Sequence, residues 1–249
     1  MKNFRIIPRL EIKSGNLVKG MRMEGLKILG NPAEVALKFY KEGADEIILD
    51  DIVASLYSRP FDFKIINKII ENINIPITIA GGIKSIDDIY KALDHGADKV
   101  SLNTNAILNP SLIYDAAKIF GSQCIISGLN VKHIFENIWE PFTESGRNRH
   151  FLSLEKWTKK VQDLGAGEIM MILIDYDGIS RGFNLEIIKK MRSFCDISLI
   201  VGGGIRGAQD IKLLMDSDID GCLLSKSLHL DKFKINHLKK SLNSERLRT

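Results

Sequence analysis

Two pairs of glycines stand directly after short apolar runs, where they would suit the binding of anions. The next apolar run in each half of the chain ends on hydroxyl, amide or basic residues. Glycine lets backbone N–H groups approach an anion closely, and a following helix start adds positive charge. The residues are Gly81, Gly82, Asn103 and Thr104 in the first set, and Gly203, Gly204, Ser225 and Lys226 in the second. We predict two phosphate sites and an elongated substrate with an anionic group at each end; tight turns alone are the alternative.

A single carboxylate stands where acid–base chemistry is expected. Glu11 and Asn130 end matching apolar runs, 119 residues apart, which predicts that they face each other. Asn130 does not exchange a proton at neutral pH, so general acid–base work would fall to Glu11. Lys19 lies in segment 15–20, whose flanking glycines would let a loop close over a ligand. A solvated surface lysine is the alternative.

Four charged residues of alternating sign lie at or near the starts of apolar runs. They are Arg5, Glu46, Lys99 and Glu168. Because they lie at the opposite ends of the runs from the glycines, they predict a closed ionic ring. The residues alone favour a stabilising role, which is usual for that face of a barrel.

Eight short apolar runs alternate with helix-length amphipathic segments. Their near-continuous Ile, Leu and Val content is typical of strands buried on both faces. The predicted strands cover 5–11, 46–51, 76–80, 98–103, 123–130, 168–175, 198–202 and 220–225, and predicted helices include 32–41, 85–93 and 184–191. In 249 residues this order predicts an α/β protein, a single (β/α)8 barrel. An open doubly wound sheet is the alternative, but its GxGxxG turn after the first strand is missing.

The chain repeats itself at a spacing of 122 residues. The segment 43–48 resembles 165–170, the segment 79–83 resembles 201–205, and Asp98 corresponds to Asp220. Repetition at one fixed period indicates duplication. We therefore predict one domain, 1–249, built from two half-barrels of about 1–122 and 123–249.

Charge and composition exclude several classes of protein. The net charge of +4 is small and evenly spread, which argues against nucleic acid and suits small anionic substrates. No run approaches the roughly 18 apolar residues of a membrane span, and the start lacks the apolar run of a signal peptide. Cys124, Cys195 and Cys222 have no CxxC spacing, so we expect no disulfide framework, no metal site and a cytoplasmic location.

Several segments resemble the cyclase subunit of imidazole glycerol phosphate synthase, an enzyme of histidine biosynthesis. The similarity runs from residue 4 to about 240, with a one-residue insertion near 133–144. The segments that carry it are 5–15, 18–20, 96–104, 109–112, 120–123, 165–168 and 175–178.

The resemblance implies a mechanism and a partner. A class I glutaminase subunit would dock on the N-terminal face of the barrel, and its ammonia would pass through the barrel to a small phosphorylated substrate. Arg5, Glu46, Lys99 and Glu168 match the family's charged gate, Lys19 matches its closing-loop lysine, and Asp98 matches a position at the glutaminase interface. The residues expected to bind phosphate are Gly82, Asn103, Thr104, Ser145, Asp177, Gly178, Gly203, Gly204, Ser225 and Lys226. No cofactor or metal is implied.

The family's catalytic pair is two aspartates, and this chain departs from it with Glu11 and Asn130. Ile172 replaces an expected Thr and Lys226 an expected Ser, while Trp139 would either stack on a substrate or pack. Our hypothesis is a divergent paralogue that delivers ammonia to a different acceptor. That acceptor would be a surface-polysaccharide sugar, with a separate sugar amidotransferase as a further partner. An active cyclase of histidine synthesis and a non-catalytic conduit or scaffold are the alternatives.

Overall fold

A computed structural model describes residues 3–242 and 246–247; the remaining ends of the predicted domain 1–249 lie outside the described residues. The strands are β1 Arg5–Lys13, β2 Asn16–Met21, β3 Glu24–Gly30, β4 Ile47–Asp51, β5 Ile77–Ala80, β6 Lys99–Leu102, β7 Ile125–Phe135, β8 Ile138–Thr143, β9 Asn148–Arg149, β10 Glu168–Leu173, β11 Ser198–Gly202 and β12 Gly221–Leu224. The α-helices are α1 Pro32–Lys41, α2 Lys64–Ile70, α3 Ile86–Asp94, α4 Thr104–Leu108, α5 Ser111–Phe120, α6 Leu154–Asp163, α7 Leu185–Ser193, α8 Ala208–Asp216, α9 Lys226–His229 and α10 Ile235–Leu242.

Within the described ranges, eight of these strands pair in parallel and close into a barrel. Their order around the barrel is β1, β4, β5, β6, β7, β10, β11 and β12, and β12 pairs with β1 again. Helices connect successive barrel strands and cover the outside. The (β/α)8 barrel predicted from the sequence is confirmed.

Alternation along β1 shows how one strand serves both the core and the barrel interior. Ile6, Leu10 and Ile12 point outward into the core between strands and helices. Ile7 belongs to a separate apolar cluster inside the barrel, together with Ile48, Ile126, Met170 and Ile200. Because side chains alternate along a strand, Arg5, Arg9 and Glu11 share the inner face with Ile7. An apolar layer therefore separates charges at the two ends of the barrel.

The helix starts follow the local signals in the sequence. Asn31, Ser85 and Asn184 accept backbone N–H bonds at the starts of α1, α3 and α7, which satisfies donors that have no partner within the helix. In the part of the chain that the structure describes, no helix is long and apolar enough to cross a membrane.

Several contacts recur 122 residues apart. Asp98 accepts a hydrogen bond from the backbone N–H of Ile77, and Asp220 accepts one from Leu199. Asp88 and Asp210 likewise accept from the N–H groups at 84 and 206. These matched contacts agree with the sequence repeat, while the duplication itself remains a prediction.

Two connections differ from the sequence prediction. The segment after β1 is not an irregular loop but the hairpin β2–β3, and β7 continues past Asn130 into the hairpin β7–β8. Trp139 lies in β8, is 8% exposed and packs against His133 at 4.9 Å between ring centroids. It therefore packs in the core.

Candidate active site

The N-terminal opening of the barrel is crossed by a ring of four charged side chains, Arg5, Glu46, Lys99 and Glu168, here termed the N-terminal ring. Arg5 lies 2.9 Å from Glu46 and 2.7 Å from Glu168. Lys99 lies 2.9 Å from Glu46 and 3.8 Å from Glu168. Because each cation contacts both anions, the ring is closed, and its longest contact joins Lys99 to Glu168.

The opposite end of the barrel, its mouth, holds a buried group of ionisable side chains, here termed the mouth cluster. Its members are Arg9, Glu11, Lys19, Asp50 and Asp177. Arg9 donates to Asp50 through two nitrogens, at 2.9 and 2.7 Å, and to Glu11 at 2.7 Å. Lys19 donates to Glu11 at 2.5 Å and to Asp177 at 2.8 Å. Glu11 Oε2 is buried and has no hydrogen-bond partner among the described residues.

The pKa values of the two acids that flank Lys19 are shifted in opposite directions. Burial raises the pKa of the Glu11 carboxyl, and this effect outweighs the nearby Lys19 and Arg9. Burial acts in the same sense on Asp177, but Lys19 and Arg9 together hold the pKa of that carboxyl below its ordinary value. A raised pKa suits Glu11 for proton transfer, whereas Asp177 supplies a fixed negative charge.

Asn130 lies on the opposite side of the mouth from Glu11. Four steps around the barrel separate β1 from β7 in either direction, so the two residues are on diametrically opposed strands. Asn130 lines a cavity, and no hydrogen bond joins its side chain to Glu11 in the described ranges. One ionisable carboxyl, Glu11, therefore occupies this axis.

Two cavities open at the mouth, one in each half of the barrel. The predicted residues that line the first cavity are Gly82, Asn103, Thr104 and Ser145. Those that line the second are Asp177, Gly178, Gly203, Gly204, Ser225 and Lys226. Ser225 Oγ is buried without a partner among the described residues, so the second cavity presents a free hydroxyl. Arg9 lines both cavities.

Close backbone packing requires glycine at two positions of the second cavity. Gly203 has a φ of +100°, and a Cβ there would lie 2.4 Å from the carbonyl oxygen of Leu173. Gly204 has a φ of +94°, and a Cβ there would lie 2.0 Å from the carbonyl oxygen of Gly182. The turn therefore requires glycine for steric reasons alone, whether or not an anion binds there. The helices α4 and α9 that follow the next strands are only 5 and 4 residues long, so the expected helix-dipole contribution is small.

The β2–β3 hairpin covers the mouth. Its turn residues Arg22 and Met23 both have positive φ angles, of 52° and 63°, and such strain in residues other than glycine is often found at functional sites. Met23 is 2% exposed and packs into the interior apolar cluster. The Arg22 N–H donates to the carbonyl oxygen of Asp177 at 2.9 Å. Lys19 is buried in β2 rather than solvated, because the closed hairpin holds it over Glu11.

Sequence reasoning missed Arg9, Asp50 and Met23. A signal was present for the first two, since charged residues inside apolar runs that are buried on both faces require a partner of opposite charge. Met23 carried no such signal.

Asp98 is exposed at the N-terminal end of the barrel, where the resemblance placed it. Within residues 3–242 and 246–247, no cluster of His, Cys, Asp and Glu side chains is arranged to hold a metal ion.

These features define a class: a (β/α)8 barrel with a charged ring at one end and paired glycine-lined cavities around a buried acid at the other. The histidine biosynthesis protein family matches residues 5–234. The imidazole glycerol phosphate synthase subunit HisF of Legionella pneumophila is 44% identical over 82% of this chain and 97% of its own length. Those of Methanopyrus kandleri and Hydrogenobaculum are 38% and 39% identical, over 96% and 94% of this chain and 94% of their own lengths. The chain therefore belongs to the histidine biosynthesis family, among the HisF cyclase subunits.

Proposed function

We propose that this chain conveys ammonia from a class I glutaminase, docked around Asp98 on the N-terminal face, to an acceptor bound at the mouth. The observation that carries the proposal is the closed N-terminal ring at one end of an apolar interior whose other end holds the unpartnered Glu11 Oε2. HisF relatives are subunits of imidazole glycerol phosphate synthase by name, which agrees with a synthase-type partner.

The ring and the apolar layer favour neutral ammonia over ammonium. Opening the longest contact, between Lys99 and Glu168, breaks the ring at least cost. Beyond it, Ile7, Ile48 and Ile126 line the interior. An ion loses its hydration there, whereas ammonia loses far less. The passage therefore selects the form of nitrogen that is a nucleophile.

Glu11 acts on ammonia where it leaves the apolar layer. Its Oε2 accepts an N–H bond from ammonia and takes one proton as nitrogen attacks the acceptor, whose leaving group departs as the new C–N bond forms. Lys19 and Arg9 hold the other carboxylate oxygen, so the free oxygen is fixed in place. Asn130 orients the acceptor by hydrogen bonding but transfers no proton.

The acceptor is a phosphorylated sugar or nucleotide-type compound that binds at the mouth. The absence of a second carboxylate on the Glu11–Asn130 axis favours an acceptor that needs one proton transfer, such as a surface-polysaccharide sugar undergoing amidation. A separate sugar amidotransferase then completes the complex. The second candidate is the cyclase reaction of histidine synthesis, favoured by the high identity to HisF relatives.

The experiment is activation of the partner. The purified chain is titrated into the class I glutaminase of the same organism, and glutamate release is followed. We expect at least a tenfold rise in glutamine hydrolysis, reduced by Asp98→Arg, which disturbs the N-terminal face. Glu136→Arg, on the exposed turn of the β7–β8 hairpin, is the matched control and should leave the rise intact. If glutamate release does not rise at a saturating concentration of the chain, the proposal is overturned.

A further inference from the structure

A groove lies beside the mouth, outside the two cavities. One wall is a face of the β2–β3 hairpin, which presents Lys19, Met21, Lys27 and Leu29, and the other is formed by segments after β10 and β12. Its volume is about 790 Å³, within the range of small-molecule sites, about 300–1,000 Å³. Lys226 lines both the groove and the second cavity, so the two spaces adjoin.

Positive charge dominates the groove. Its basic residues are Lys19, Arg22, Lys27, Arg181 and Lys226, and its acidic residue is Glu24. Arg22, Lys27 and Arg181 form no ion pair within residues 3–242 and 246–247. Uncompensated cations that line a concave surface concentrate anions there. Three free cations around one cavity match a ligand with more than one negative charge.

The groove also presents apolar surface next to these cations. Met21 is 62% exposed, Leu230 51% and Leu29 39%. Met21 and Leu29 lie on the hairpin and Leu230 on the opposite wall. Apolar side chains on facing walls suit a flat aromatic ring between them. A site with free cations and facing apolar walls differs from a plain phosphate site, which requires only polar groups.

We propose that this groove binds a nucleoside diphosphate, with its diphosphate on Arg22, Lys27 and Arg181 and its base between Met21 and Leu230. A sugar attached to the diphosphate then reaches past Lys226 towards the second cavity and Glu11. The inference deepens the proposed function by making the acceptor a nucleotide-linked sugar, and it rests on that function for the role of the sugar. A volume in the small-molecule range favours this ligand over an acidic protein segment.

Binding is measured by calorimetry on the full chain, with UDP, ADP, GDP and CDP as probes and inorganic phosphate as the reference. We expect at least one nucleoside diphosphate to bind tenfold or more tightly than phosphate. Arg181→Ala should weaken that binding about tenfold or more, the effect of losing a charge-assisted bond. Glu24→Gln should tighten it by removing the acid in the groove. Lys189→Ala, an exposed lysine on α7, is the control and should change nothing.

Three results would overturn the inference. One is that none of the four nucleotides binds tenfold more tightly than phosphate, and a second is that Arg181→Ala leaves their binding unchanged. The third is that poly-glutamate, but no nucleotide, binds in a manner dependent on Arg181, which would make the groove a protein-docking surface. Because these titrations contain no glutaminase and no ammonia, their failure is distinct from a failure to activate glutaminase.

Discussion

Replacing Arg9 with Met should destabilise the barrel strongly. The Arg9 side chain is 3% exposed, and its removal leaves Asp50 without its cation and Glu11 with Lys19 alone. Stranding one partner of a buried pair costs about 3–5 kcal/mol. Adding Asp50→Leu removes the stranded carboxylate, and exchange of a whole buried pair for apolar residues is often neutral. The double variant should therefore regain most of the loss.

Urea unfolding followed by circular dichroism and tryptophan fluorescence gives these free energies. Arg149→Met is the matched control, because Arg149 also pairs with an acid, Glu140, but is 35% exposed. An exposed pair contributes about 0–1 kcal/mol. The reasoning fails if Arg9→Met costs no more than the control, or if the double variant is no more stable than Arg9→Met.

Further predictions concern pH and packing. Burial, with Lys19 nearby, lowers the pKa of His229 from 6.5 to about 4. A histidine whose pKa is lowered by folding contributes stability above its unfolded pKa, and that stability is lost as pH falls towards the folded pKa. The free energy of unfolding should therefore fall by about 3 kcal/mol as pH drops from 6.5 to 4. His229→Leu should lose this dependence; equal pH slopes in urea unfolding would refute it. Gly203→Ala, whose Cβ meets the Leu173 carbonyl at a φ of +100°, should cost about 2–4 kcal/mol. Gly207→Ala, with no atom within 4 Å of its Cβ, should cost less than about 1 kcal/mol, and equal losses would contradict the packing explanation.

The barrel followed from the sequence because its signals are local. Apolar runs such as 46–51 and 198–202 have strand length, and capping residues such as Ser85 begin the helices between them. The alternating signs of the N-terminal ring were also visible, since each member lies at or near the start of a strand. Strand ends were less certain, because β7 runs on into a hairpin rather than ending at Asn130.

The mouth cluster could not be predicted in full, because it depends on which face of each strand points inward. When a strand is buried on both faces, its sequence does not show which side chains point inward. Arg9 therefore appeared only as a single charge in an apolar run. Lys19 is buried only because β2 and β3 pair and fold over the mouth, a tertiary event. Trp139 could not be assigned to the core or the mouth before the β7–β8 hairpin was known.

The most direct test of the account is the cyclase reaction of imidazole glycerol phosphate synthase, run with the substrate of that enzyme. Excess ammonium at alkaline pH replaces the glutaminase, and product absorbance is followed. Because Asn130 transfers no proton, Asn130→Asp should raise the rate about 10²-fold or more. Turnover of the unmodified chain within tenfold of an ordinary HisF subunit would contradict the account and identify the chain as a working cyclase of histidine synthesis.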